Sequence, residues 1–165
     1  MSTSEWYDSL TELYNRQGIL DVLHDLINGA QRYKQDLSVS LLDIDHFKSI
    51  NERYGQFTGD SVIENVAKIA YRNIRASDTV GRYGGDEFLI ILPRANLYSA
   101  KVSAERMRAT IENADMKDSA DNIFRVTVSQ GLSCLEQGDD TRSLVARAEE
   151  ALQRAKKNGG NRVEM

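Results

Sequence analysis

Two short apolar runs constrain this chain more than any other feature. Residues 38–44 (SVSLLDI) and 88–92 (FLIIL) are short, rich in β-formers and edged by acids. The first turns acidic at Asp43-Ile44-Asp45 and reads as a central strand. The second is the return strand of a hairpin over Thr79 to Pro93, with Gly84-Gly85 expected to supply positive-φ turn positions.

Helical periodicity supplies the cover for these strands. Ile19, Leu20, Leu23, Leu26, Ile27 and Ala30 predict an amphipathic helix over residues 17–34. His46 to Arg53 reads as a short helix, with a loop around Gly55 and Gly59 before a helix marked by Val62, Val66 and Ile69. Leu97 to Ala114 carries a further apolar stripe, and Asp115 to Asn122 reads as a loop. Phe124, Val126, Val128, Leu132 and Cys134 share one parity, which predicts a single strand with these residues on one face. Thr141 is the expected cap of a last helix ending at Gly159-Gly160, and Arg162 to Met165 a short edge strand. Strands and helices interleave without regular alternation, so the expected fold class is α+β, a mixed sheet with helices packed on it.

Composition excludes several function classes. The 165 residues suit one domain, and 41% hydrophobic content is enough for a core. With 21 basic against 25 acidic residues, nothing supports a general nucleic-acid surface. No apolar window is long enough to span a membrane, and the first residues do not resemble a signal peptide, which suits a cytoplasmic location. The single cysteine, Cys134, excludes an intrachain disulfide and reads as a small buried hydrophobe. His24 and His46 are too few for a histidine metal cage, and no phosphate-binding loop of the G-x-x-x-x-G-K type occurs. Carboxylates, lysines and glycines remain to carry chemistry.

If the hairpin lies beside the first strand, Asp43 and Asp86-Glu87 converge at one end of the sheet. Clustered carboxylates repel and invite a hard divalent cation such as Mg²⁺, with phosphates completing its shell. The alternative is two unrelated solvated turn acids, and spacing alone does not choose between them. Asp45 is expected to cap the helix that begins near His46. From the residues alone, Asn51 reads as a helix C-cap and Asp60 as an N-cap. Lys48 and Lys156 read as surface lysines, and Phe47, Phe88 and Leu92 as core.

Arg82-Tyr83-Gly84-Gly85-Asp86-Glu87-Phe88 resembles the defining motif of the GGDEF domains, the diguanylate cyclases. The opening Asp8-Ser9-Leu10-Thr11-Glu12-Leu13-Tyr14-Asn15-Arg16 resembles that family's D-x-L-T-x-L-x-N-R. Asp43 to Asn51 resembles D-I-D-x-F-K-x-I-N, Val126 to Gly131 resembles V-T-x-S-x-G, and Ala148 to Asn161 resembles the closing segment. The resemblance covers residues 8–163 and implies a five-stranded mixed sheet ringed by helices, related to the adenylyl cyclase palm. Residues 1–7 are then an N-terminal linker or tail and 8–165 a single domain.

The activity implied is condensation of two GTP into cyclic di-GMP and two pyrophosphates across a homodimer. By that resemblance Asp43, the Ile44 carbonyl, Asp86 and Glu87 hold Mg²⁺ or Mn²⁺, in a site expected to take two metals. Glu87 also assists deprotonation of the ribose hydroxyl. Asn51 and Asp60 read guanine, Lys48 and Lys156 meet the triphosphate, the Gly84-Gly85 backbone lies against the phosphates, and Phe47 joins the nucleotide contacts. Asp86, Glu87 and Lys48 form the catalytic set. Arg75-Ala76-Ser77-Asp78 resembles the R-x-x-D site at which cyclic di-GMP inhibits, with an exposed ion pair as the plain alternative. The implied partners are GTP, cyclic di-GMP, a second copy, and fused sensor or effector domains, with no nucleic acid and no membrane contact.

Departures from the family pattern are Glu12 for Gly, Glu52 for Asp, Gln56 for His, Gln153 for Tyr and Gly160 for Arg. Gly160 removes a cation expected near the terminal phosphates. It favours the alternative function, a non-catalytic nucleotide-binding module regulating an attached domain such as an EAL phosphodiesterase.

Overall fold

The structure, a computed structural model, describes residues 5–165. In chain order the elements are α1 (Arg16–Tyr33), β1 (Leu37–Ile44), α2 (Phe47–Tyr54), α3 (Gln56–Arg72), β2 (Thr79–Arg82), β3 (Glu87–Pro93), α4 (Leu97–Glu112), β4 (Met116–Lys117), β5 (Ile123–Phe124), β6 (Val128–Cys134), α5 (Thr141–Lys157) and β7 (Val163–Glu164). The main sheet runs β2-β3-β1-β6-β7, antiparallel except for the parallel β6–β7 pair. This is the five-stranded mixed sheet of the expected α+β class.

β1 is the central strand and is buried along its whole length. Alternation sends Leu42 and Ile44 to the face covered by α3 and α4, where Phe88, Ile90, Val66 and Met107 meet them. Leu37, Val39 and Leu41 go to the face covered by α1 and α5, against Leu23, Ile91 and Leu152. One buried polar chain links three elements. Ser40 donates to Gln130 Oε1 at 2.8 Å, and Gln130 Nε2 donates to the Ala104 carbonyl at 2.9 Å, joining β1, β6 and α4.

Several local expectations are corrected. Neither Gly84 nor Gly85 has a positive φ. The turn closes through Tyr83 and Gly84 N–H groups donating to the Glu87 carbonyl, and the Glu87 carboxylate folds over Gly84, with Oε1 2.6 Å from where a Cβ would stand. Only Gly55, at φ +89°, separates α2 from α3, and Gly59 is helical. Asn51 and Asp60 are therefore helix-interior residues rather than caps. The expected strand over 124–134 breaks, because Thr127 turns aside to bond Asp45 and Phe124 stacks on Tyr54 at 4.2 Å. Its parity survives the break, since Phe124, Val126, Val128 and Leu132 all serve the α3–α4 core. The expected loop 115–122 contributes β4 to a two-stranded sheet with β5. Asp140, not Thr141, caps α5, with Ser143 closing a capping box. Cys134 is half-buried.

Candidate active site

Asp43 and Glu87 face each other in the β1–β3 register, on the α1–α5 side of the sheet. The Ile44 N–H donates to the Asp86 carbonyl at 3.2 Å, so the strand end is pinned to the glycine turn. The N–H and carbonyl of one strand residue face the same neighbour, which turns the Ile44 carbonyl toward Asp86 as well. Asp43 is 6% exposed, and its Oδ1 is buried with no hydrogen-bond partner among the described residues. Its Oδ2 pairs with the Lys156 ammonium, which α5 brings over the strand end.

Burial first, then the neighbouring Asp86 carboxyl, push the Asp43 carboxyl up to about 7, against the pull of Lys156. Glu87 is also raised, by burial and then by Asp43 and Glu149, with Lys156 and Arg16 opposing. Among the described residues no three His, Cys, Asp or Glu side chains converge as a ready metal cage. Asp43 and Asp86 come together, the Ile44 backbone joins them, and Glu87 sits alongside.

Two carboxylates with a backbone carbonyl suit a hard, oxygen-liganded cation that keeps open positions for phosphate and water. The orphaned Asp43 oxygen is what such an ion would satisfy, so the residues fit Mg²⁺ or Mn²⁺.

The turn is braced from a distant part of the chain. Arg82 donates through Nε and Nη2 to the Gly85 carbonyl at 3.1 and 2.7 Å, and through Nη1 to Asp8 Oδ1 at 3.2 Å. Asp8 also accepts from the Thr11 N–H and hydroxyl. These bonds and Arg82 outweigh burial and hold the Asp8 carboxyl low. Glu12 in the same loop has φ +62°, the left-handed region that explains the glycine usual there. Tyr7 stacks on Tyr14 at 5.0 Å and bridges to it.

The expected base-reading residues meet at the α2–α3 corner. Asn51 Oδ1 is buried without a partner and lies over Gly59, where a Cβ would come within 1.8 Å of it. Phe47, one turn earlier on α2, flanks the same glycine at 3.3 Å. Asp60 follows on α3, half-exposed, and neither it nor Lys48 makes an ion pair among the described residues. Asp45 is not a helix cap: His46 holds that position, with no side-chain bond. The Asp45 carboxylate accepts instead from Thr127, Ser129 and the Asn161 N–H at 2.7, 2.7 and 2.8 Å, clamping the C-terminal turn to the sheet. Gly160 sits in that turn at φ +73°, and its absent Cβ would lie 3.3 Å from the Asp45 carboxylate.

The family model for the diguanylate cyclase GGDEF domain matches residues 5–162. The chain belongs to the GGDEF domain family. Similar proteins include the diguanylate cyclase DosC of Escherichia coli, 38% identical over 158 residues, 96% of this chain and 34% of that protein. The diguanylate cyclase VdcA of Vibrio cholerae is 39% identical over 159 residues, 95% of this chain and 46% of that one. The chain thus spans less than half the length of these relatives. A similar solved structure is the GGDEF domain of DgcB from Caulobacter crescentus in complex with c-di-GMP, with TM-score 0.95 and 32% identity over 99% of this chain and 94% of that one.

In this GGDEF domain Asp78 is buried, with 1% of its side chain exposed, and Arg75 folds onto it. Asp78 accepts from the Arg75 N–H, Nε and Nη2, and Nη2 also donates to the Pro93 carbonyl at 2.9 Å. Among the described residues Arg75 Nη1 makes no hydrogen bond, and its exposed edge lies over a groove of about 340 Å³ that also holds Tyr98, Val102 and Arg106. Arg106 belongs to no sequence motif, because its neighbourhood with Arg75 is tertiary. The brace of Asp8, Thr11 and Arg82 is not visible in spacing, although each of them stands in an ordered motif. Among the described residues no helix is long and apolar enough to cross a membrane.

The raised Asp43 carboxyl makes stability depend on pH. It binds protons more tightly folded than unfolded, where it takes the ordinary 3.8. Its stabilising contribution is therefore full below about pH 4 and is lost as pH rises through about 7. Asp139, held down to about 2 chiefly by Arg147, changes only below that window. In metal-free buffer the parent should lose about 3 kcal/mol relative to Asp43→Asn between about pH 4.5 and about pH 8. Urea titrations across that range check it, and parallel curves for the two proteins contradict it.

Proposed function

We propose that this GGDEF domain is a diguanylate cyclase that condenses two GTP into cyclic di-GMP and two pyrophosphates. The observation that carries the reading is the orphaned, buried Asp43 oxygen beside Asp86, at the same sheet end as the unpartnered Asn51 and Asp60. Asp43, Asp86 and the Ile44 carbonyl would hold the divalent cation, which when bound neutralises charge on the reacting phosphate and on pyrophosphate.

The chain's own groups do the rest. The Asp60 carboxylate accepts from guanine N1–H and the exocyclic amine. Adenine offers no such pair and would leave the carboxylate unsatisfied. Asn51 holds the base beside it, with Phe47 beneath. Lys48 and Lys156 meet phosphate as point charges. No atom lies within 4 Å of a Cβ built on Gly85, so phosphate can approach the turn backbone. Glu87, a raised carboxylate, accepts the proton of the attacking 3′-hydroxyl. The 3′-oxygen bonds the α-phosphorus of the other GTP, and the bond from that phosphorus to pyrophosphate breaks. One chain carries one set of nucleotide contacts, so two copies face each other. Cyclic di-GMP binds through Arg75, held in place by Asp78, with Arg106 as a second cation across the groove.

Gly160 supports a second reading, a nucleotide-sensing module without turnover, since position 160 itself carries no cation and the nearby Arg162 is spent on the Gly160 carbonyl, to which its Nε donates at 3.3 Å. Incubation with GTP and Mg²⁺ decides between the two. Cyclic di-GMP and pyrophosphate in a 1:2 ratio support the cyclase, and binding of cyclic di-GMP without synthesis supports the sensor. Arg75→Ala should keep the initial rate and require about tenfold more added cyclic di-GMP for half-inhibition, as expected for a lost charged hydrogen bond. Equal inhibition of parent and variant contradicts the Arg75 site.

A further inference from the structure

Lys156 is placed oddly for a residue whose only task is to grip phosphate. Its ammonium pairs with Asp43, a carboxylate expected to hold the metal. The lysine is 38% exposed at its side chain while Asp43 is 9% exposed, so the cation comes in from solvent and covers a buried anion. Asp86 and Glu87 also lie within its electrostatic reach. A divalent ion at Asp43 would meet a like charge at contact range, which weakens its binding. A triphosphate arriving with the ion offers the ammonium another partner and removes the conflict. The long, flexible lysine stem, anchored near the end of α5, allows the exchange.

We propose that Lys156 is an internal counter-cation of the metal carboxylates, which disfavours bare metal and yields the site to a metal–nucleotide complex. The proposal rests on the metal reading given above. It separates two roles that a phosphate contact alone does not: the same side chain opposes the ion when alone and favours it when nucleotide accompanies it. The protein would then keep its carboxylates neutralised between turnovers, and metal loading would follow the nucleotide supply rather than the ion concentration.

The test uses Mn²⁺ alone, read from loss of the free-ion electron paramagnetic resonance signal, and 3′-deoxyGTP with Mg²⁺, read by calorimetry. The nucleotide lacks the attacking hydroxyl and does not turn over. Lys156→Met should bind Mn²⁺ alone on the order of tenfold more tightly than the parent, and Lys156→Arg within about twofold of it. The magnesium complex of 3′-deoxyGTP should bind Lys156→Met about tenfold more weakly, so the two effects have opposite signs. Lys156→Gln is the second neutral variant should the Met form fail to fold. A purely structural role weakens both, and a phosphate-only role leaves Mn²⁺ binding unchanged; either result overturns the proposal. Parent-like Mn²⁺ binding by Asp43→Asn overturns the metal reading itself, and is a separate outcome from Lys156→Met failing to gain affinity.

Discussion

Replacing Asp86 by Asn is expected to lower cyclic di-GMP synthesis by roughly 10³-fold while leaving the domain folded. Asp86 lies in the turn before β3, half-exposed, and its main structural bond is the backbone carbonyl that accepts from Ile44. The amide side chain preserves that bond and the turn. What it removes is one of the two anionic ligands, and with it the charge that holds a cation against phosphate. The variant also relieves Asp43 of a repelling neighbour, so its thermal midpoint in metal-free buffer should not fall. Product chromatography at saturating GTP and Mg²⁺, with circular dichroism on the same sample, checks both halves. A folded variant that makes product at the parent rate would falsify the assignment of Asp86 to the metal.

The largest expected effect on stability comes from a glycine where β6 packs on α5. A Cβ on Gly131 would lie 2.1 Å from the Ala148 carbonyl oxygen and 2.2 Å from the Leu152 nitrogen. Both are backbone atoms of α5, so no side chain can rotate away, and the helix must lift from β6. Gly131→Ala should therefore destabilise the domain by about 3 kcal/mol or more, in the upper range for overpacking. For a chain of this size that is a drop of roughly 10 °C in Tm. Gly29→Ala is the matched control. It sits in α1 with nothing within 4 Å of its Cβ and should gain about 0.5–1 kcal/mol from helix propensity. Similar melting curves for the two variants would show that the α5–β6 approach is looser than the geometry requires.

Much of the fold was legible in residue patterns. The runs 38–44 and 88–92 became β1 and β3, and the apolar stripes of α1, α4 and α5 fell where periodicity put them. Errors gathered where local chemistry has two solutions. Asp140 and Thr141 are both good caps, and only the reciprocal bond from Ser143 selects the first. Gly59 beside Gly55 looks like loop, yet it is glycine because the Asn51 side chain occupies its Cβ space. The parity of residues 124–134 reports which core they serve, and says nothing about whether their backbone stays in one ladder. In the site, Asp43 and Asp86 came from motif resemblance joined to hairpin logic. Arg82 with Asp8, and Asp45 with Thr127, Ser129 and Asn161, depend on contacts across 74 to 116 residues that no local pattern carries.

The division of the core into two layers bears on more than packing. Asp43, Glu87 and Lys156 belong to the α1–α5 layer, while Phe47 and the helices bearing Asn51 and Asp60 belong to the α3–α4 layer. A nucleotide held as proposed has its phosphates on one layer and its base on the other. Its binding energy is thus lost whenever either layer opens alone, so the ligand welds two partly independent units into one. Amide protons in α3 and in α5 should then slow together on nucleotide addition, although no helix-to-helix contact has changed.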